Sequence, residues 1–217
     1  MFSKLLPFVT LASLAFNTYA NPMLMKRDCK SDYNKEISDN HGSPEVKPFK
    51  CGDHTVQRKK ALNALGADAW DLSITMQETG CDMTSYNKQY YPFGDWNAAH
   101  SDTKKGDSAN FSIFKLNWYQ IRTYAKDSKY YKKPESDWET AGKEINASDK
   151  IGLDLLHQLK KYTPGGNPFG FYKYQRGGAS ATDQQGKTYE TGINYIWGQV
   201  KGHTTDEYAA GYIMQCI

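Results

Sequence analysis

Apolar positions recur along this chain at steps of three and four residues, the period of a helix that buries one face. Ala61, Leu62, Leu65, Ala69, Leu72 and Met76 make the first such run, and Gly80 supplies a stop signal. One helix is therefore predicted from Thr55 towards Gly80, with Glu78 on its last turn. Phe111, Phe114, Trp118, Ile121 and Ala125 make a second run, opened by Asp107 or Ser108 as N-cap. Ser136-Asp137-Trp138-Glu139 reads as a capping box ahead of Trp138, Ala141 and Ile145. Ile151, Leu155, Leu156, Leu159 and Tyr162 predict another helix, which Pro164-Gly165-Gly166 ends. Ile193, Ile196, Trp197 and Val200 suit a further one, and residues 205–215 a last one.

The segments between these runs lack a period. Residues 28–55 are polar and read as an irregular arm. Residues 81–107 are rich in Tyr, Asn, Asp and Gly, with turn-like clusters at Asn87-Lys88-Gln89 and Phe93-Gly94-Asp95, so loops or a short hairpin are expected there. Residues 164–187 are Gly-rich and aromatic and read as an irregular connection. The pattern as a whole is one mainly α domain with a loop-rich insert after its first helix.

The amino terminus changes the picture. Leu5 to Phe16 is the longest apolar stretch, too short for a bilayer core that needs about 20 residues, and an integral membrane protein is excluded. With Lys4 before it and Thr18-Tyr19-Ala20 after it, this stretch reads as a secretory signal peptide over residues 1–20. Lys26-Arg27, the lone Lys-Arg pair, then marks a dibasic cut that ends a pro-segment over residues 21–27 and leaves residues 28–217 as the mature domain. The removed part carries Lys4, Lys26 and Arg27 and no acid, so 27 basic and 24 acidic residues become 24 and 24. A neutral mature chain lacks the electrostatic footprint of a nucleic-acid or anionic-membrane binder. The four cysteines, Cys29, Cys51, Cys81 and Cys216, read as two disulfides of an exported chain in one of three pairings, with Cys29 and Cys51 pinning the polar arm. None has metal-ligand spacing, and no cofactor is expected.

The chain has no G-x-S-x-G elbow and no H-E-x-x-H. His100, near Asp95 and Asp102, reads as a solvated loop histidine. Carboxylates and aromatics remain, the materials of glycoside hydrolysis, where one carboxylic acid protonates the leaving oxygen and a second carboxylate activates water or attacks. Glu78 is the candidate acid: burial at the end of an apolar face and the negative end of the helix dipole both disfavour its anion.

Three stretches lie close together: Leu72-Ser73-Ile74-Thr75-Met76-Gln77-Glu78-Thr79, Tyr91-Pro92-Phe93-Gly94-Asp95, and Lys105 to Trp118 with its Gly106-Asp107 and Asn117-Trp118. Together they resemble the β-1,4-mannanases of glycoside hydrolase family 134, secreted enzymes with a hen-egg-white-lysozyme-like fold. A weaker likeness runs from Phe169 to Trp197, through Arg176-Gly177-Gly178-Ala179-Ser180 and Tyr195-Ile196-Trp197. The resemblance implies a mainly α (α+β) lysozyme-like domain, helices around a cleft, and an inverting hydrolase. In that family a Glu closing a Thr-Ala-Met-x-Glu helix is the general acid, which matches Glu78. The Asp of a Tyr-x-x-Gly-Asp turn is the general base, which matches Asp95. The loop between Glu78 and Lys104 is longer here than in the family, and Asp102, aligned from the helix side, fits the base position too; Asp95 has the longer local motif and is preferred.

Tyr91 and Trp96 are the platform candidates for pyranose faces, as flat rings on a solvated loop. Phe111, Phe114 and Trp118 are assigned to the core. Asp107, Asn110, Lys115 and Arg176 complete the substrate-binding candidates, with an N-cap as the plainer role for Asp107. Asn110-Phe111-Ser112 and Asn146-Ala147-Ser148 are glycosylation sequons, of which the second is the better placed for use. The expectation is an extracellular, monomeric endo-hydrolase of β-mannan. Its rivals are a hydrolase of chitin or peptidoglycan on the same fold and an inert glycan-binding protein.

Overall fold

The computed structural model describes residues 49–50, 53–79, 106–206 and 208–209. The signal peptide, the pro-segment, all four cysteines, and Tyr91, Asp95, Trp96 and Asp102 lie outside the described residues. Within them the order is β1 (Phe49–Lys50), α1 (Asp53–Ala64), α2 (Ala69–Thr79), a 3-10 turn (Gly106–Ser108), β2 (Asn110–Phe111), β3 (Leu116–Asn117) and α3 (Trp118–Tyr124). A second 3-10 turn (Glu135–Asp137), α4 (Trp138–Asn146), α5 (Asp149–Tyr162), α6 (Phe169–Gly177), a third 3-10 turn (Gly178–Ser180), α7 (Asp183–Val200) and β4 (Tyr208–Ala209) follow. The domain is mainly α with a small antiparallel hairpin, as a lysozyme-like α+β fold requires.

Several predicted elements come out differently. The first apolar run is two helices, because the chain turns at Leu65-Gly66-Ala67-Asp68 with Gly66 at φ 96°, a conformation that costs glycine little. Asp68 Oδ1 then accepts from the amides of Trp70 and Asp71 and starts α2. The second run is mostly not helix: Asn110 pairs with Asn117 and Phe111 with Leu116, and Ser112 and Lys115 close the turn with left-handed φ of 64° and 49°. Helix begins only at Trp118, where the N-cap is Asn117, whose side chain accepts from the Gln120 amide at 3.3 Å, and not Asp107. Ser136-Asp137-Trp138-Glu139 forms no capping box, because the 3-10 turn over Glu135–Asp137 leads straight into α4 and Asp137 makes no side-chain cap. A capping box exists instead between Thr182 and Gln185, at the start of α7. Residues 164–187, expected to be irregular, hold α6 and the first turn of α7, and residues 208–209, expected to be helical, are a strand paired with β1.

Most of the core is as read, although Ala61, counted on the first apolar face, is exposed, and α1 instead buries Thr55, Lys59 and Leu62. Phe111, Phe114, Leu116, Trp118 and Ile121 are fully buried, together with Leu156 and Leu159 of α5 and Ile193 and Ile196 of α7. Each such side chain contributes roughly 1.5–3 kcal/mol by leaving water. Helices α2 and α7 pack antiparallel, since Glu78 meets Tyr189 while Trp70, eight residues earlier, stacks on Trp197, eight residues later, with ring centroids 4.5 Å apart. Helix α5 fixes α2 from another side. Asp71, 1% exposed, accepts from His157 Nε2 at 2.8 Å and Lys160 Nζ at 3.2 Å. Among the described residues no helix is long and apolar enough to cross a membrane.

Candidate active site

Glu78 ends α2 with its side chain 10% exposed. Two neutral donors meet one of its oxygens. The Tyr189 hydroxyl donates to Oε1 at 2.8 Å and Gln175 Nε2 donates to the same atom at 3.2 Å. Burial, then the Glu78 charge and hydrogen bond, hold the Tyr189 hydroxyl well above the usual phenol range, so it is a neutral donor to Glu78 at neutral pH. On the other oxygen, Oε2, the Lys115 ammonium stands at 4.0 Å.

Gln175 does more than touch the carboxyl. Its Nε2 also donates to the carbonyls of Phe114 and Lys115, each at 3.0 Å, so one amide ties the acid to the tip of the β2–β3 hairpin. An amide turned the other way would set its oxygen against both carbonyls, which fixes the orientation. The chain reversal between α6 and α7 brings the two donors together. Gly178 adopts φ 66°, and a Cβ on Gly177 would come within 2.9 Å of both Ala181 Cβ and Gln185 Oε1. The glycines of Arg176-Gly177-Gly178-Ala179-Ser180 thus permit a tight turn that sets Gln175 beside Tyr189.

Among the substrate-binding candidates, the structure brings Lys115 to Glu78. Asp107 lies at the base of the hairpin, where its carboxylate takes the Arg122 guanidinium in a two-pronged pair, Nε to Oδ1 at 2.5 Å, and its carbonyl accepts from Asn117 Nδ2 at 2.9 Å. The carboxylate raises Arg122 above its ordinary value, mainly through that hydrogen bond. Asn110 Oδ1 accepts from Asn117 Nδ2 at 3.3 Å, also at the hairpin base. Arg176 is half-buried in the last turn of α6, one position beyond Gln175. Asn146, the sequon asparagine, accepts the Ser112 amide on Oδ1 at 2.6 Å and so helps to hold the strained hairpin turn.

Gln175 and Tyr189 were not among the residues that sequence reasoning selected. Tyr189 stands four residues before Ile193 and seven before Ile196, so it extends the apolar face of α7 and reads as core. The available signal for Gln175 was its place immediately before the Arg176-Gly177-Gly178 stretch. Among the described residues no group of three or more His, Cys, Asp or Glu is arranged to hold a metal ion.

A largely buried carboxyl at a helix end, held in place by two neutral donors, can when protonated give its proton to a substrate atom, the work of an acid-assisted hydrolase. The family comparison agrees, because the model of Glycosyl hydrolase family 134 matches residues 56–211, from the first turns of α1 to just past β4. The chain belongs to glycosyl hydrolase family 134 and is a glycoside hydrolase. Comparison with curated proteins finds no match.

Proposed function

We propose that this chain is a secreted, inverting endo-β-1,4-mannanase with Glu78 as general acid and a loop aspartate, Asp95 in preference to Asp102, as general base. The observation that carries the reading is the clamp on Glu78. Tyr189 and Gln175 both donate to Oε1 and fix the carboxyl, and when Glu78 is protonated its acidic proton sits on Oε2. From there it passes to the glycosidic oxygen as the C–O bond breaks. The base takes a proton from a water on the opposite face of the sugar, and the water oxygen bonds to the anomeric carbon. Tyr91 and Trp96 give the pyranose rings flat apolar surfaces. Removal of residues 1–20 and 21–27 leaves residues 28–217 as an extracellular monomer that needs no cofactor.

The substrate is tested by reducing-sugar release from purified mature protein on mannan, glucomannan, galactomannan, chitin and bacterial cell walls. Release from the three mannose-containing polymers alone is expected. Release from chitin or cell walls would overturn the substrate assignment, and no release from any of them would favour an inert glycan-binding protein.

A further inference from the structure

We propose that Lys115 is a positioning residue of the acid, an ammonium that the hairpin holds over Glu78 Oε2 to stabilise the carboxylate left when the proton departs, and not a ligand of the sugar. The proposal rests on the reading of Glu78 as general acid. Three observations meet in it. Lys115 occupies a left-handed backbone position, φ 49°, where glycine or asparagine would be relaxed. Strain of this kind persists where surrounding structure imposes it, often at functional sites. Its carbonyl is held by Gln175 Nε2 at 3.0 Å, and the same Nε2 holds Glu78, so the backbone of Lys115 and the carboxyl it serves share one anchor. Finally, Nζ lies 4.0 Å from Oε2, the oxygen opposite the one that Tyr189 and Gln175 hold, with the lysine side chain 29% exposed and the glutamate 10%.

The electrostatics give the direction. Among the described residues, Lys115 from the hairpin and Tyr189 from α7, itself flanked by Tyr172 of α6, face Glu78. Tyr189 stays neutral, whereas the Lys115 ammonium favours the carboxylate over the acid. Removing it makes Glu78 a weaker acid, whose titration moves to higher pH. At 4.0 Å, with both groups partly open to solvent, the move is about one pH unit.

The test compares Lys115→Met, Lys115→Gln and Lys115→Arg with the parent. The readouts are pH profiles of kcat/KM on soluble mannan and a carbon-13 NMR titration of the Glu78 carboxyl, assigned with Glu78→Gln. Both neutral variants should carry the alkaline limb, and the carboxyl titration, upward by about one pH unit, with kcat down roughly three- to tenfold and KM within twofold. Lys115→Arg should restore the parent limb. An unmoved limb with a raised KM would overturn the proposal and make Lys115 a sugar ligand. An NMR titration unmoved in both neutral variants would overturn it as well. The NMR arm needs no turnover, so a shifted carboxyl in a protein that cleaves no mannan would refute the mannanase reading while leaving the Lys115–Glu78 coupling standing.

Discussion

Replacing Asp71 by asparagine should loosen the helix that carries Glu78, and should do so with a characteristic dependence on pH. Asp71 lies two turns before Glu78 on α2 and is 1% exposed. Burial pushes its carboxyl up, but the His157 hydrogen bond, the Lys160 charge and the Asp68 amide outweigh it and hold the group below its ordinary value. His157 is raised, chiefly by its hydrogen bond to Asp71, with burial opposing. The two shifts define a window. The Asp71 contribution is complete above the unfolded carboxylate value of about 4 and is lost as pH falls through its lowered folded value. The His157 contribution is complete below about 6.5 and is lost as pH rises through its raised folded value. The pair therefore stabilises most between those limits and fades on the alkaline side.

Removing one member of a buried ion pair costs about 3–5 kcal/mol. Here the loss is smaller, because His157 is 45% exposed and returns to water, and because asparagine can still accept the Asp68 amide. A loss of about 2–3 kcal/mol near pH 5.5 corresponds to a melting temperature lower by roughly 5–10 °C for a domain of this size. Near-ultraviolet circular dichroism melts at pH 5.5, 7 and 8.5, on parent and Asp71→Asn, measure both effects. The gap between the two proteins should narrow as pH rises, since the parent loses what the variant never had. A gap that stays constant across those three values would refute the assignment of the stability to the Asp71–His157 pair.

Three further outcomes follow from the proposed mechanism and processing. Asp95→Asn and Asp102→Asn should be unequal, one near-dead and the other near-native in kcat, because one carboxylate holds the attacking water; two mildly affected variants would remove both from the role. Proton NMR of a fresh digest should show the α anomer first at the newly formed reducing end of a β-linked mannan, since single displacement inverts the anomeric centre, and initial β anomer would make the loop aspartate a nucleophile. Amino-terminal sequencing of secreted material should begin at Asp28, and a start at Asn21 would show that Lys26-Arg27 is not cut.

What the sequence discloses and what it hides divide along physical lines. The helical end bearing Glu78, the helices starting near Ile151 and ending near Val200, and the buried state of Phe111, Phe114 and Trp118 were legible because burial imposes a period on apolar residues. The break at Gly66 was hidden, since Leu65 and Ala69 continue that period across the turn. The β2–β3 hairpin was hidden for a related reason: a tight turn placed Phe111, Phe114 and Trp118 at intervals that a helix would also give, and Ser112 and Lys115 do not advertise a left-handed backbone as glycine does. Gln175 and Tyr189 were illegible as site residues because they reach Glu78 from helices 97 and 111 positions away, a coincidence made by packing.

Glu78 as proton donor is the central claim, and Glu78→Gln tests it most directly. Glutamine keeps the shape and can still accept from Tyr189 and Gln175 through its oxygen, while lacking the acidic proton. Hydrolysis of mannan by the purified variant should fall by about three orders of magnitude or more, with a melting temperature within a few degrees of the parent. A variant that melts like the parent and still turns over at a comparable rate would contradict the account.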